Sequence, residues 1–241
     1  MKSKYIYSLL VMILCSTCFV AIAQTKKKDA QTVETLKDYF TPVSDQVSRP
    51  DSEGFIRRWT LLEPISKPNS SNRVYTDSYL REAASALYFN EQFSGIPYDG
   101  MKITTVNKEQ LYWHSLDAKN FYVNLLRFAE GHNKQFFGQV FWAATVINCE
   151  EDLKDVRIAS GANSAAVWFL DEEEVLLMSN DRDLIVDDCM SKRLTLTKGQ
   201  HIIRGAIFIG PGMADFCLRI VDNNGKPINN FTITSLMKKQ K

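Results

Sequence analysis

Few residues in this chain could do chemistry, and most of them lie far apart. Histidine occurs only three times in 241 residues. Of these, His114 alone stands beside a hydroxyl and a carboxylate, in the run Trp113-His114-Ser115-Leu116-Asp117. A serine hydrolase needs a nucleophile on a sharp turn, a histidine base and an orienting acid. His114, Ser115 and Asp117 are the residues such an esterase would use here. Three groups this close in sequence need an unusual turn to converge, and neither a G-x-S-x-G elbow nor a Gly-Asp-Ser signature is present. The expectation is therefore no catalytic residue, with this trio as the alternative.

Carboxylates are dense around Asp171-Glu172-Glu173-Glu174 and from Asp181 to Asp188. Paired carboxylates could serve glycoside hydrolysis across a cleft, but such clusters are ordinarily solvated turns. Asp183, Asp187 and Asp188 are the alternative ligand set for a calcium ion held by oxygen, although the spacing matches no EF-hand. No cysteine or histidine stands at ligand spacing from another, so no metal site is expected. Sugar binding has its own signature of exposed rings flanked by polar groups. Its candidates are Tyr112, Trp113, Trp168 and Phe169, with Trp59 and Trp142 behind them. Strand alternation puts Trp168 and Phe169 on opposite faces, one toward the core and one outward, and splits Tyr112 from Trp113 in the same way.

The elements that must position these residues are strands. From Val156 to Ile233, β-rich runs alternate with turn clusters every 8–12 residues or so, as in sandwiches and barrels. Ala165–Leu170, Val175–Met178, Arg193–Thr197, His201–Ile209, Phe216–Val221 and Phe231–Ile233 read as strands, with a strong hairpin signal at Asp222-Asn223-Asn224-Gly225. Upstream, Phe55–Leu62, Met101–Val106 and Gln110–His114 read as strands. Asn120–Phe128 and Phe136–Ile147 read as a hairpin. Thr76-Asp77-Ser78 before an Ala-rich run predicts one inserted helix near residues 77–89, and Gln31–Phe40 could form a short second one. No helix separates the later strands, so a βαβ fold is excluded.

The chain begins with Lys2 and Lys4, an apolar stretch from Tyr5 to Val20, and Ala21-Ile22-Ala23. That pattern predicts a signal peptide over residues 1–23, then an arm over 24–50, a β-sandwich over 51–234 and a basic tail over 235–241. The exported chain would be periplasmic, cell-surface or extracellular, with no later membrane span. Charges balance at 29 basic and 28 acidic residues, which argues against nucleic acid as a partner. Cys149, Cys189 and Cys217 remain after the leader, and the sequence leaves open one disulfide or three free thiols.

The succession Val-Trp-Phe-Leu-Asp-Glu, then Leu-Thr-Leu-Thr-Lys-Gly, then Asp-Phe-Cys-Leu-Arg-Ile-Val-Asp-Asn-Asn-Gly-Lys-Pro-Ile resembles a known module type. It is similar, over about Phe141 to Ile233, to the galactose-binding-like (PA14-like) jelly-roll β-sandwich modules attached to secreted carbohydrate-active enzymes. The longer pattern from Phe55-Ile56-Arg57-Arg58-Trp59 resembles secreted proteins labelled acetylxylan esterase. Two departures stand out: Asp171-Glu172 replaces the usual Asn-Gly, and Gly161-Ala162-Asn163-Ser164 lacks the paired Asp of members that bind calcium and sugar. The resemblance implies a non-catalytic module of polysaccharide degradation that binds a polysaccharide or oligosaccharide, with Asn163 in the ligand loop, or that docks to a partner enzyme. A carbohydrate esterase and a structural envelope protein are the alternatives.

Overall fold

The computed structural model describes residues 36–69 and 71–234; the expected signal peptide and basic tail lie outside them. In chain order the strands are β1 (Phe40–Pro42), β2 (Arg58–Leu62), β3 (Ile65–Ser66), β4 (Lys102–Thr104), β5 (Gln110–Ala118), β6 (Val123–Asn124), β7 (Gln139–Cys149) and β8 (Leu153–Ala162). They continue with β9 (Ala165–Leu170), β10 (Glu173–Met178), β11 (Cys189–Met190), β12 (Leu194–Leu196), β13 (Gly199–Ile209), β14 (Asp215–Val221) and β15 (Phe231–Thr234). Among the described residues, α1 (Asp77–Ser85), α2 (Leu125–Gly131) and a 3-10 turn at Asn72–Val74 accompany them.

The strands form two antiparallel sheets. The larger runs β1-β5-β2-β7-β13-β9-β10, with β3 and β15 pairing onto β7 and β4 onto β5; the smaller runs β11-β8-β14-β6, with β12 on β8. Alternation along each strand sends one side-chain set into the space between the sheets. Trp59, Phe141 and Trp168 from the large sheet meet Ile158, Phe216 and Ile220 from the small one. Ring centroids of Trp59, Trp168 and Phe216 stand 5.0 to 5.7 Å apart, in the tilted and edge-on arrangements that aromatic quadrupoles favour. The fit leaves no room opposite Trp168. Its cross-strand partner is Gly205, where a Cβ would stand 2.4 Å from the indole.

The outer face of the large sheet is buried as well. Leu111, Trp113, Val140, Trp142, Phe169 and Phe208 pack beneath α1, the 3-10 turn and the loop after them, forming a second core. Thr76 caps α1, its hydroxyl accepting from the Tyr79 amide at 3.3 Å. Both faces of β9 are therefore covered, and this overturns the expectation of one outward ring in that strand. Trp168 is 0% exposed and Phe169 6%.

The expected all-β sandwich is the architecture, with differences in detail. Among the described residues α2 is a helix that was not expected, and α1 stops at Ser85. The run Asn120–Phe128, read as strand, turns helical after Asn124. That side chain caps α2 by accepting from the Arg127 amide at 2.8 Å, while Leu125, Phe128 and Ala129 are buried on the helix. The short helix expected over Gln31–Phe40 lies partly outside the described residues; of the rest, Leu36 and Lys37 are helical and Phe40 enters β1, which pairs with β5. Cys149, Cys189 and Cys217 are free thiols, the first and last buried.

Candidate functional site

Adjacent residues on a strand point to opposite faces, and this dismantles the catalytic trio. The Ser115 hydroxyl shares a 2.8 Å hydrogen bond with Thr60, and its amide donates to Asp99. Asp117 accepts two 2.8 Å bonds from the Arg58 guanidinium. His114 faces the other way. The trio does not assemble.

The expected binding residues are also dispersed. Trp113, like Trp168 and Phe169, is core, at 4% exposure. Tyr112 is the exposed one of the four, at 40%. Asn163 sits in the β8–β9 turn, buried, its amide donating to the Asp215 carbonyl at 2.9 Å. Its Oδ1 and that of Asp215 are both buried without a hydrogen-bond partner. Of the alternative calcium ligands, Asp183 is exposed. Asp188 pairs with Arg182 and Asp187 with Arg219. Arginines hold two of the three carboxylates, so they do not form a cation cage.

Asp187 instead helps to build a cleft at one end of the sandwich. Ser52, Glu53, Phe55, Phe121, Val186, Arg219 and Pro227 line it, with a volume of about 500 Å³. Phe55 is fully buried and forms the floor, while Phe121 stands over it at 39% exposure, ring centroids 5.1 Å apart. The Arg219 guanidinium lies 4.9 Å above the Phe55 ring. It donates to both Asp187 oxygens, the shorter bond 2.5 Å, and to the Glu53 carbonyl at 2.8 Å. A bidentate pair of this kind fixes both partners. Gly161 admits the loop that carries Asp187, since a Cβ there would stand 2.0 Å from the Ile185 carbonyl oxygen. An exposed ring beside fixed polar groups suits a ligand with apolar C–H faces and hydroxyl edges. The sequence marks Phe55 only as the start of a strand and singles out neither Phe121 nor Arg219 as a site residue.

A second constellation lies where β2, β5 and α2 meet. Leu61 of β2 pairs with His114 of β5, and just past β2 the Glu63 amide donates to the Tyr112 carbonyl. Glu63 and His114 are thereby diagonal cross-strand neighbours, with Glu63 Oε1 3.4 Å from His114 Nε2. At the end of α2, His132 lies one turn beyond Phe128 and stacks on His114, ring centroids 3.8 Å apart. Donor atoms of Glu63, His114 and His132 all lie within 4.8 Å of one another. Glu63 Oε2 accepts from the Tyr112 amide and faces Lys134 Nζ at 3.4 Å. Burial pushes Glu63 up, but its contact with His114 and the Lys134 and His114 charges prevail and hold it below the ordinary 4.5. Burial first, then the His114 charge, pushes His132 down to about 4. Two of the chain's three histidines thus lie close to one carboxylate.

Among the described residues, no helix is long and apolar enough to cross a membrane. In comparisons with known proteins, no family model matches the chain and no curated protein is significantly similar to it.

Proposed function

We propose that this chain is an exported, non-catalytic β-sandwich module, of the jelly-roll, galactose-binding-like kind, that binds glycan in xylan-type polysaccharide breakdown. The Phe121 cleft carries the reading. There a partly exposed ring stands beside a guanidinium locked by Asp187 and over a buried aromatic floor. A pyranose ring stacks its C–H face on Phe121, and its hydroxyls bond to Arg219, Asp187 and Glu53. The dispersal of His114, Ser115 and Asp117 favours binding over ester hydrolysis. The resemblance of the later strands to modules of secreted carbohydrate-active enzymes supports the same assignment and the export that goes with it.

Affinity electrophoresis of residues 24–241 through gels containing xylan, acetylated xylan, pectin or β-glucan tests this. Retardation by one polymer that Phe121→Ala removes is the expected result. Migration unchanged in every gel, or retardation that survives Phe121→Ala, overturns the assignment.

A further inference from the structure

We propose that Glu63, His114 and His132 form a binding site for a divalent transition-metal ion, with zinc the best match to the donors. Two imidazoles and a carboxylate are a recurrent ligand set for such ions. Three donors about 2.1 Å from a tetrahedral ion stand about 3.4 Å from one another. Glu63 Oε1 and His114 Nε2 are already 3.4 Å apart, and no gap in the set exceeds 4.8 Å. Small side-chain rotations of the two stacked imidazoles close the remainder.

An independent observation is that His132 Nε2 is buried with no hydrogen-bond partner. Buried ring nitrogens are ordinarily satisfied, and a metal ion in this position satisfies it.

The surroundings fit a cation bound through one carboxylate oxygen. Glu63 Oε1 points at His114, whereas Oε2 is held by the Tyr112 amide at 3.3 Å and Lys134 at 3.4 Å. The Tyr112 amide orients the carboxylate in the manner of an outer-shell partner, whereas the Lys134 ammonium competes with a bound cation. Lys134 also reaches Glu109 at 3.6 Å, so its ammonium can move toward that carboxylate as the ion enters. Phe128 packs against both imidazoles, at 5.9 and 4.8 Å, and forms an apolar wall behind them. The His114 side chain is 25% exposed, so the fourth position opens toward water.

The test is Zn²⁺ added to the purified chain with 15N-labelled histidine. One equivalent of Zn²⁺ is expected to shift the ring-nitrogen signals of His114 and His132 and to leave those of His201 in place. Co²⁺ is expected to give the visible absorption of a tetrahedral site. His132→Gln and Glu63→Gln are expected to weaken Zn²⁺ binding at least tenfold, and His201→Gln to leave it unchanged. If a ligand variant fails to fold, Lys134→Met serves instead and is expected to tighten binding severalfold by removing a like charge. Zn²⁺ that shifts neither imidazole, affinity that survives His132→Gln, or affinity that falls in Lys134→Met overturns the proposal.

Discussion

Asp215 begins β14 and is buried at 6% exposure, with Oδ1 lacking any hydrogen-bond partner. Burial alone pushes its carboxyl up from 3.8 to about 6. Below pH 3.8 the acid is protonated in both the folded and the unfolded chain, and ionisation has no effect on stability. Between 3.8 and about 6 the unfolded chain releases its proton while the folded chain keeps it, so stability falls as pH rises. Above about 6 both states are ionised and the whole cost is present. At about 1.4 kcal/mol per pH unit, that cost is about 3 kcal/mol at pH 7 and about 0.5 kcal/mol at pH 4. Asn has nearly the shape of the protonated acid. Asp215→Asn is therefore expected to stabilise the fold by up to about 3 kcal/mol at pH 7 and by about 0.5 kcal/mol at pH 4. Urea unfolding of both proteins at pH 4, 5, 6 and 7 measures the difference directly. A stability difference that stays flat across this range, or that favours Asp at pH 7, would refute the reasoning, because it would mean that the carboxylate is solvated or paired.

Three other substitutions probe the packing. Gly205→Ala drives a methyl into the Trp168 indole and is expected to cost about 2 kcal/mol in urea unfolding; an unchanged midpoint would show that the indole can move. Asp171 and Glu172 form the β9–β10 turn with φ of 47° and 78°, so Glu172→Gly should raise stability by about 1 kcal/mol. A loss there would mean that the Glu172 side chain stabilises the turn by more than its backbone costs. Arg204 is buried at 3% exposure; one guanidinium nitrogen donates to the Gly95 carbonyl and Nη1 has no partner. Arg204→Met is expected to be neutral or stabilising by about 1 kcal/mol in thermal unfolding, and a large loss would mean that the charges of Glu172 and Asp171 compensate the buried guanidinium.

The strands were legible because alternation and turn chemistry are local. The run Ala165–Leu170 reads from sequence with the bounds it has in the structure, and the break after it falls in the expected acidic cluster, although the return strand begins at Glu173 rather than Val175. The departure from Asn has a structural reason: Asp171 accepts from the Ile202 amide at 2.8 Å and meets His201 Nδ1 at 2.5 Å, tying the turn to β13. Which face meets water is not a local property. Alternation rightly separated Trp168 from Phe169, but the layer that covers Phe169 comes from residues far upstream, around α1. The same limit hid both candidate sites. Glu63 and His114 are 51 positions apart in sequence and meet only through the β2–β5 register. His132 joins them only because Asn124 starts a helix in a run whose apolar residues suit a strand equally well. Phe55, Phe121, Asp187 and Arg219 come from four separate segments that converge at one end of the sandwich. His114, Ser115 and Asp117 failed as a trio for the opposite reason, since neighbours on a strand cannot face one another.

The most direct test of glycan binding is a two-dimensional NMR titration of the 15N-labelled chain with a xylo-oligosaccharide. Binding in the cleft predicts amide shifts concentrated at Glu53, Phe55, Phe121, Val186, Asp187 and Arg219, saturating with one ligand. Absence of shifts, or shifts clustered away from these residues, would contradict it.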